Sequence, residues 1–250
     1  MSSPILQRHL PDDMHATRAL PGIQPERGPW LRVDEAYADQ MGRRIALLDQ
    51  AAVDVLYLEP NAQSAADELL AMVLDMLPGL GFTLHADQVE CPDGRRVALA
   101  GHANPLALLG HLMQCDFVIM QKRDTEHVLT AAVLCFPASW RLSEKAGQPL
   151  TDIHVPVPEY TGDLAVRVQR LFDGVQVGRP LWRFNQLWYD DAELFQPRSA
   201  GEPRRVGAGS RDGPFYRSER QTVLRLPDTG AVVFIIHTYV LARADVPDLG

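Results

Sequence analysis

The chain has 250 residues, of which 46% are hydrophobic and 22% charged, enough for one full-sized core and too apolar for a disordered protein. Its formal net charge of −8 and its lack of a basic stripe argue against a nucleic-acid partner, because a phosphate backbone would repel it. No apolar run approaches the roughly 20 residues of a membrane-spanning helix, and residues 1–20 lack the apolar core of a signal peptide. We therefore expect a soluble, cytoplasmic protein with no membrane partner.

The N-terminal part predicts an arm followed by a packing helix. Residues 1–30 are rich in proline, glycine and histidine, and we interpret them as an N-terminal arm on a single domain of residues 31–250. Asp34 is the expected N-cap of the first helix, which leaves Arg43 and Arg44 near the solvent boundary. Its buried stripe follows helical spacing through Tyr37, Met41, Ile45 and Leu48.

The middle of the chain predicts a helix, a hairpin and the start of a sheet. Ser64 and Asp67 resemble a capping box that opens a helix ending at Pro78-Gly79. Residues 91–95 have the composition of a hairpin turn, and Asn104-Pro105 should open a short helix. Strands are predicted at residues 117–121 and 128–136, paired antiparallel. The cysteines at positions 91, 115 and 135 fit neither a disulfide framework nor a zinc site, so we expect buried, unpaired thiols.

The C-terminal part completes an antiparallel sheet. A helical stripe is predicted from Leu164 to Phe172, and residues 181–189 read as a strand. Residues 215–226 and 231–240 flank the turn Pro227-Asp228-Thr229-Gly230, which predicts a long hairpin. The order of elements predicts an α+β fold, an antiparallel sheet with helices packed mainly on one face.

The terminal hairpin carries an unusual set of polar residues. If Leu226 faces Ala231 across the turn, Arg220 lies opposite His237 and Glu219 opposite Thr238. One interpretation is a solvated face of an edge hairpin, and the other is a buried sheet whose arginines hold anions. The apolar second strand favours burial. Strand alternation puts Arg217, Glu219, Gln221 and Arg225 on one side and Tyr216, Ser218, Arg220, Thr222 and Leu224 on the other.

His154 lies in the segment Asp-Ile-His-Val-Pro-Val-Pro, residues 152–158. Its prolines and β-branched residues predict a stiff, extended segment that fixes the direction of the imidazole, which suits a metal ligand. A hydrogen-bonded structural histidine is the alternative, and no second ligand stands at zinc-like spacing. The residues by themselves therefore indicate an α+β protein with a candidate site for an anionic ligand.

A set of short motifs in fixed order is similar to the haem-dependent oxidative N-demethylase α-subunit family. Two departures are Arg183-Phe-Asn-Gln186, which lacks a final tryptophan, and His237, where the family usually has arginine. The chain is also short for the family. The motifs are Leu134-Cys-Phe-Pro-Ala-Ser-Trp140, Lys145-Ala-Gly-Gln-Pro149, Ile153-His-Val-Pro-Val-Pro158, Glu219-Arg-Gln-Thr222, Arg225-Leu-Pro227 and Thr229-Gly-Ala-Val-Val-Phe234, with a fainter match at Leu20-Pro-Gly-Ile-Gln-Pro25, Trp30 and Tyr37.

The resemblance implies a PAS-like domain that binds one haem b, with His154 as the iron ligand and His237 or His111 as fallback ligands. It implies oxidation of a small N-methyl amine by O2 to the demethylated amine and formaldehyde. Electrons would come from a separate flavin and iron–sulfur reductase. The expected cofactor contacts, including those to the haem propionates, are Arg217, Arg220, Arg225 and His237.

Within that reading, Glu219 is the candidate partner for the substrate ammonium, and Tyr216 or Tyr239 would shape the cavity. An ion pair between Glu219 and a neighbouring arginine is the alternative role for this carboxylate. Two other functions stay open at this stage: a haem-binding PAS-like sensor or carrier without turnover, and an interaction module that needs no cofactor.

Overall fold

The computed structural model describes residues 3–15, 22–154, 162–203, 208–209 and 212–247. Within these ranges the chain forms two antiparallel sheets, and the predicted α+β class is confirmed. No helix in this part of the chain is long and apolar enough to cross a membrane. The strands are β1 Gln24–Pro25, β2 Leu56–Leu58, β3 Thr83–Leu84, β4 Gln88–Glu90, β5 Arg96–Ala98, β6 Asp116–Arg123, β7 Glu126–Val133, β8 Leu181–Tyr189, β9 Phe215–Arg225 and β10 Val232–Ala242.

The large sheet has the strand order β1-β8-β9-β10-β6-β7-β2, and the small sheet has the order β3-β4-β5. Both faces of the large sheet are covered by helices. The helices are α1 Tyr37–Gln50, α2 Ala52–Val55, α3 Gln63–Met76, α4 Pro105–Leu112, α5 Leu142–Lys145, α6 Leu150–His154 and α7 Gly162–Gly174.

Strand alternation and register divide the large sheet into two faces. The α1 face carries Leu224 and Ile235, which share a hydrophobic cluster with residues of α1, α3 and α4. The α7 face carries Val223 and Ile236, which share a second cluster with residues of α5, α6 and α7. The centre of the sheet is therefore shielded from water on both sides.

The terminal hairpin has the register that the sequence predicts. The amide of Leu226 donates to the carbonyl of Ala231, and Arg220 pairs with His237 and Glu219 with Thr238. The interpretation of the hairpin as a solvated edge is wrong. Strands β9 and β10 lie in the centre of the sheet, and polar side chains on them are buried. Arg217, Glu219, Arg220 and His237 are 3%, 6%, 2% and 4% exposed.

Several smaller elements also agree with the sequence. Asn104 caps α4 by accepting from the amide of Leu106 at 2.9 Å. The turn at residues 91–95 joins β4 and β5, and strand β8 has the predicted bounds. Cys91, Cys115 and Cys135 are buried and unpaired, as expected.

The prediction that Arg44 lies near the solvent boundary is wrong. Its side chain is fully buried, its Nη1 lies 2.6 Å from Asp116 Oδ1, and its guanidinium stands over the ring of Phe136. Asp116 also accepts the backbone amides of Cys135 and Phe136 at 2.7 and 2.9 Å. These contacts compensate the carboxylate of Asp116, whereas Arg44 keeps its Nε and Nη2 buried without a hydrogen-bond partner.

The predicted capping box at Ser64 is also wrong. Helix α3 begins at Gln63, so Ser64 already lies inside the first turn, and no side chain caps the helix. A short 3-10 helix, Pro60–Ala62, leads directly into α3. The chain therefore enters the helix without needing a side-chain N-cap.

Ile153 and His154 are helical rather than extended, which corrects the prediction for this part of the 152–158 segment. Ile153 donates its amide to the carbonyl of Pro149 at 3.0 Å, and its own carbonyl accepts from Lys145 Nζ. The described part of helix α6 runs from Leu150 to His154. Residues 155–161 and the side chain of His154 lie outside what the structure describes.

Candidate functional site

A polar site lies on the α7 face, where β8 pairs with β9; its Arg217 and Glu219 are buried, and its Arg183, Asn185 and Gln221 are half-buried. The register places Asn185 beside Glu219, and the Asn185 amide donates to Glu219 Oε2 at 2.8 Å. Gln221 Nε2 donates to the same oxygen at 3.2 Å, while Arg217 Nη2 lies 3.4 Å from Oε1. We call Arg183, Asn185, Arg217, Glu219 and Gln221 the polar site.

Three members of the polar site, Arg183, Asn185 and Gln221, had no site role predicted from the sequence. The Nε of Arg183 is buried without a hydrogen-bond partner in the structure. Burial lowers the pKa of Arg183, and attraction to Glu219 offsets only part of that shift. The sequence does contain one signal for Arg183 and Asn185, which is the alternation of β8 that puts both positions on one face. The long β8–β9 connection hid the register that brings them to Glu219.

Glu219 keeps acceptor capacity despite its partners. A carboxylate offers about four acceptor positions, and Oε2 receives two short donors while Oε1 receives only the long contact from Arg217. The ion pair with an arginine, which was the alternative role of Glu219, is therefore present. It leaves one oxygen of a buried carboxylate available to a further cation.

Arg217 and Arg225 make their main contacts with the protein's own carbonyls. Arg217 donates to the carbonyls of Leu194 at 3.0 Å and Phe136 at 2.7 Å, so it ties two loops to the sheet. All three nitrogens of the Arg225 guanidinium donate to backbone carbonyls at the end of α7 and in the terminal turn. Of the two, only Arg217 keeps a buried nitrogen without a partner, its Nε.

Arg220 lies on the α1 face and binds the N-terminal arm. Its Nη1 is 3.0 Å from Asp13 Oδ2, its Nη2 is 2.6 Å from Glu26 Oε2, and its guanidinium stacks 3.3 Å over the ring of Trp182. Two carboxylates thus compensate one buried guanidinium charge. We call these contacts of Arg220 with Asp13 and Glu26 the clamp, because they hold the N-terminal arm against the sheet.

Tyr216 also lies on the α1 face, on the other side of the sheet from Glu219. Its hydroxyl donates to Gln186, and its ring packs edge-on against Trp188. Burial raises the pKa of Tyr216 to about 12, so the hydroxyl stays protonated at neutral pH. The structure does not bring Tyr216 and Glu219 together.

His237 is part of a hydrogen-bond network around Asp34. His237 Nε2 lies 2.9 Å from Asp34 Oδ2, which also accepts from Gln7, and Gln114 donates to Oδ1 at 2.6 Å. Burial by itself would raise the pKa of Asp34, but the interaction with His237 and the amide donors outweigh it and lower the pKa to about 2. His237 Nδ1 is buried without a partner. Tyr239 packs against its ring.

The predicted site residues thus divide between the two faces. Glu219, Arg217 and Arg225 face α7, whereas Tyr216, Arg220 and His237 face α1. Helix α6 covers the α7 face, because Leu150 and Ile153 pack in the same cluster as Val223 and Ile236. His154, the last residue of α6, therefore lies on the same side of the sheet as Glu219.

The class of this protein is an α+β domain whose central antiparallel sheet carries a charged, partly buried site. A protein-family model described as haem-dependent oxidative N-demethylase, alpha subunit-like, matches residues 22–249. That range includes both faces of the large sheet, the polar site and His154. The chain belongs to this family.

Proposed function

We propose that the protein is a haem-dependent oxidative N-demethylase. It would convert a small N-methyl amine, with O2, two electrons and two protons, into the demethylated amine, formaldehyde and water. The observation that supports this most directly is the buried carboxylate of Glu219, which keeps an open acceptor position on the face covered by α6, in a chain of this family. A buried anion with a free acceptor suits a protonated amine.

The residues of the α7 face fit a haem group. His154 would ligate the iron through one imidazole nitrogen, and Arg183 would hold a propionate, since its buried Nε has no other acceptor. Arg217 could add its own unpaired Nε, whereas the guanidinium nitrogens of Arg225 are already engaged. When bound, haem supplies the oxygen-activating chemistry that no side chain provides.

Arg220 and His237 are poor propionate partners on this proposal. Both lie on the α1 face, where carboxylates of the protein already contact them, although Arg220 Nε and His237 Nδ1 are buried without a partner. A propionate there would have to displace Asp13, Glu26 or Asp34, each of which would lose its own compensation. We assign them instead to holding the N-terminal arm and the Asp34 network on the sheet.

Glu219 would bind the ammonium of the substrate and so hold its N-methyl group in one orientation. Asn185 and Gln221 would fix the carboxylate by donating to Oε2, which leaves Oε1 for the substrate. Glu219 is itself buried, and the low polarity of such surroundings would strengthen the charge contact.

Reducing power would come from a partner. The sequence holds no Gly-x-Gly-x-x-Gly motif, no Walker loop and no cysteine cluster for an iron–sulfur centre. The description of the family as alpha subunit-like fits such an arrangement, with flavin and iron–sulfur chemistry on a separate subunit.

The test combines a spectrum with an assay. Protein expressed with a haem precursor should show a Soret band, and His154→Ala should lose stoichiometric haem while its circular dichroism is unchanged. Haem-loaded protein should release formaldehyde from a panel of methylated amines only after a reductase or chemical reductant is added, with catalase present to remove peroxide. An unchanged Soret band in His154→Ala would reject the ligand. Absence of product from fully loaded, reducible protein would favour a haem sensor or carrier.

A further inference from the structure

A cavity of about 370 Å³ lies on the α1 side of the large sheet, across the sheet from the polar site. Helix α1, the β4–β5 hairpin and helix α4 surround it, and residues 95–98, His102 and His111 line it. Helices α1 and α4 pack on the α1 face, so the sheet separates this cavity from the proposed haem site. The cavity therefore contains two side chains that can bind a metal ion.

The hydrogen bonds of the two imidazoles fix their tautomers. His111 Nδ1 lies 2.8 Å from the carbonyl oxygen of Ala107, and His102 Nε2 lies 3.1 Å from that of Ala98. A carbonyl oxygen only accepts, so both of these nitrogens carry the proton. The other nitrogen of each neutral ring therefore has a free lone pair. Histidines that bind metals are oriented in this way, by donating their second N–H to a carbonyl or carboxylate.

The distance between the rings fits a shared ion. The ring centroids of His102 and His111 are 5.7 Å apart, with 52° between the ring planes. Zn–N bonds of about 2.0–2.1 Å, with about 1.1 Å more from each nitrogen to its ring centre, would put two rings on one tetrahedral ion roughly 5–6 Å apart. The observed separation lies within that range.

Two arginines line the cavity, and each has a carboxylate partner outside the lining that offsets its repulsion of a cation. Arg95 is paired with Asp93, and Arg96 Nη2 lies 3.3 Å from Glu90 Oε2. Each arginine of the lining thus has its own carboxylate. Among the residues that the structure describes, no group of three or more histidine, cysteine or acidic side chains is placed to hold a metal. A bound ion would therefore keep open positions for water.

We propose that His102 and His111 form a binding site for a borderline-soft divalent ion, of which Zn²⁺ is the probe. The site is independent of haem and of the proposed reaction. Imidazole ligands favour Zn²⁺, Ni²⁺ and Cu²⁺ over Mg²⁺ and Ca²⁺. Affinity falls at acidic pH, because protons compete with the ion for the ligand nitrogens.

The experiment is calorimetric titration of Zn²⁺ into the untagged, full-length protein at pH 7.5, repeated at pH 5.5 and with Mg²⁺. We expect one Zn²⁺ per chain at pH 7.5, loss of binding at pH 5.5 and none with Mg²⁺. His102→Ala and His111→Ala should each weaken Zn²⁺ binding by more than tenfold. His9→Ala, which removes an exposed histidine that does not line the cavity, should leave it unchanged. Circular dichroism and the Soret band report on folding and on the haem site separately.

Three results would overturn the proposal: Zn²⁺ binding that persists in the His102→Ala, His111→Ala double variant, binding that His9→Ala abolishes, or no Zn²⁺ binding by the folded wild-type chain. A parallel titration with inorganic phosphate tests the cavity as an anion site. Phosphate binding that Arg96→Ala removes, with no Zn²⁺ binding, would replace the metal by an anion.

Discussion

His237 and Asp34 are hydrogen-bonded across the α1 face, with Nε2 and Oδ2 2.9 Å apart and the two residues separated by 203 positions in the sequence. The pair joins β10 to the segment that leads into α1. Because two glutamine side chains also donate to Asp34, its carboxylate is stabilised in the charged form only in the folded protein.

The first prediction follows from this carboxylate. Its folded pKa of about 2 lies below the ordinary value of 3.8. A lowered folded pKa adds stability above the unfolded pKa, and that stability is lost as pH falls from about 4 toward 2. The shift corresponds to about 2 kcal/mol of unfolding free energy. Urea unfolding at pH 7, 4, 3 and 2 should show this loss in the wild type.

Asp34→Asn keeps the shape of the side chain and removes its titration. We expect the variant to be less stable at pH 7 and to lose less stability between pH 4 and 2 than the wild type does. Asp39→Asn is the matched control, because Asp39 is an exposed carboxylate on α1. An identical pH dependence in the wild type and Asp34→Asn would contradict the assignment.

The second prediction concerns the clamp between Arg220 and the arm. Arg220→Ala would leave Glu26, whose side chain is almost fully buried, without its main partner. Breaking one partner of a buried pair typically costs about 3–5 kcal/mol, and Arg220→Lys should recover part of it. Unfolding free energies provide the measurement, and limited proteolysis of residues 3–15 reports release of the arm.

Arg43→Ala serves as the control for Arg220. Arg43 makes a partly exposed ion pair with Glu193, and such pairs contribute about 0–1 kcal/mol. If Arg220→Ala were as stable as Arg43→Ala but lost haem, the clamp role would be wrong and the original propionate assignment would be restored.

The pairing of β9 with β10 could be predicted from the sequence, but the pairing of β8 with β9 could not. The register of β9 and β10 followed from the four-residue turn between them, because counting from Leu226 and Ala231 needs no other information. The same alternation already puts Tyr216 and Glu219 on opposite faces. Strand β8 could be bounded but not aligned, since residues 190–214 separate it from β9.

Burial of charge was harder to predict than the strands. Arg44 occupies a position on α1 that helical spacing puts at the edge of the apolar stripe. Its partner Asp116 lies 72 residues away and meets it only when β6 packs under α1. The N-terminal arm was likewise read as peripheral, yet Asp13 and Glu26 supply the counter-charges of Arg220. Contacts of this kind have no local sequence signal.

The third prediction distinguishes Arg183 of β8 from Arg225 of β9 by the hydrogen-bond partners of their guanidinium groups. Arg183→Ala should weaken haem retention by about 1–3 kcal/mol, the usual contribution of a charged hydrogen bond, with little change in unfolding free energy of the haem-free protein. Arg225→Ala should do the reverse, because it removes the contacts that hold the end of α7 and the terminal turn.

Haem transfer to apomyoglobin measures retention, and urea unfolding of the haem-free variants measures stability. Arg217→Ala belongs in the same series and should affect both quantities, since Arg217 holds two loop carbonyls and has an unpaired Nε. Equal haem retention in all three variants and the wild type would remove arginine from the proposed haem site altogether.

The last prediction tests Glu219 as the partner of the substrate ammonium. Glu219→Gln keeps the side-chain volume and one carbonyl oxygen but removes the negative charge. It should therefore lower kcat/KM for reductant-dependent formaldehyde release by at least tenfold, which corresponds to a loss of about 1.4 kcal/mol or more of transition-state stabilisation. The haem content should stay within twofold of wild type. Asn185→Ala should give a smaller decrease, because Asn185 only orients the carboxylate. Gln221→Ala removes the longer hydrogen bond to the same oxygen and should have the smallest effect of the three. If Glu219→Gln instead lost haem and activity in parallel, the carboxylate would be holding the haem site together rather than the substrate. If it lost neither, the ion pair with Arg217 would be its whole role.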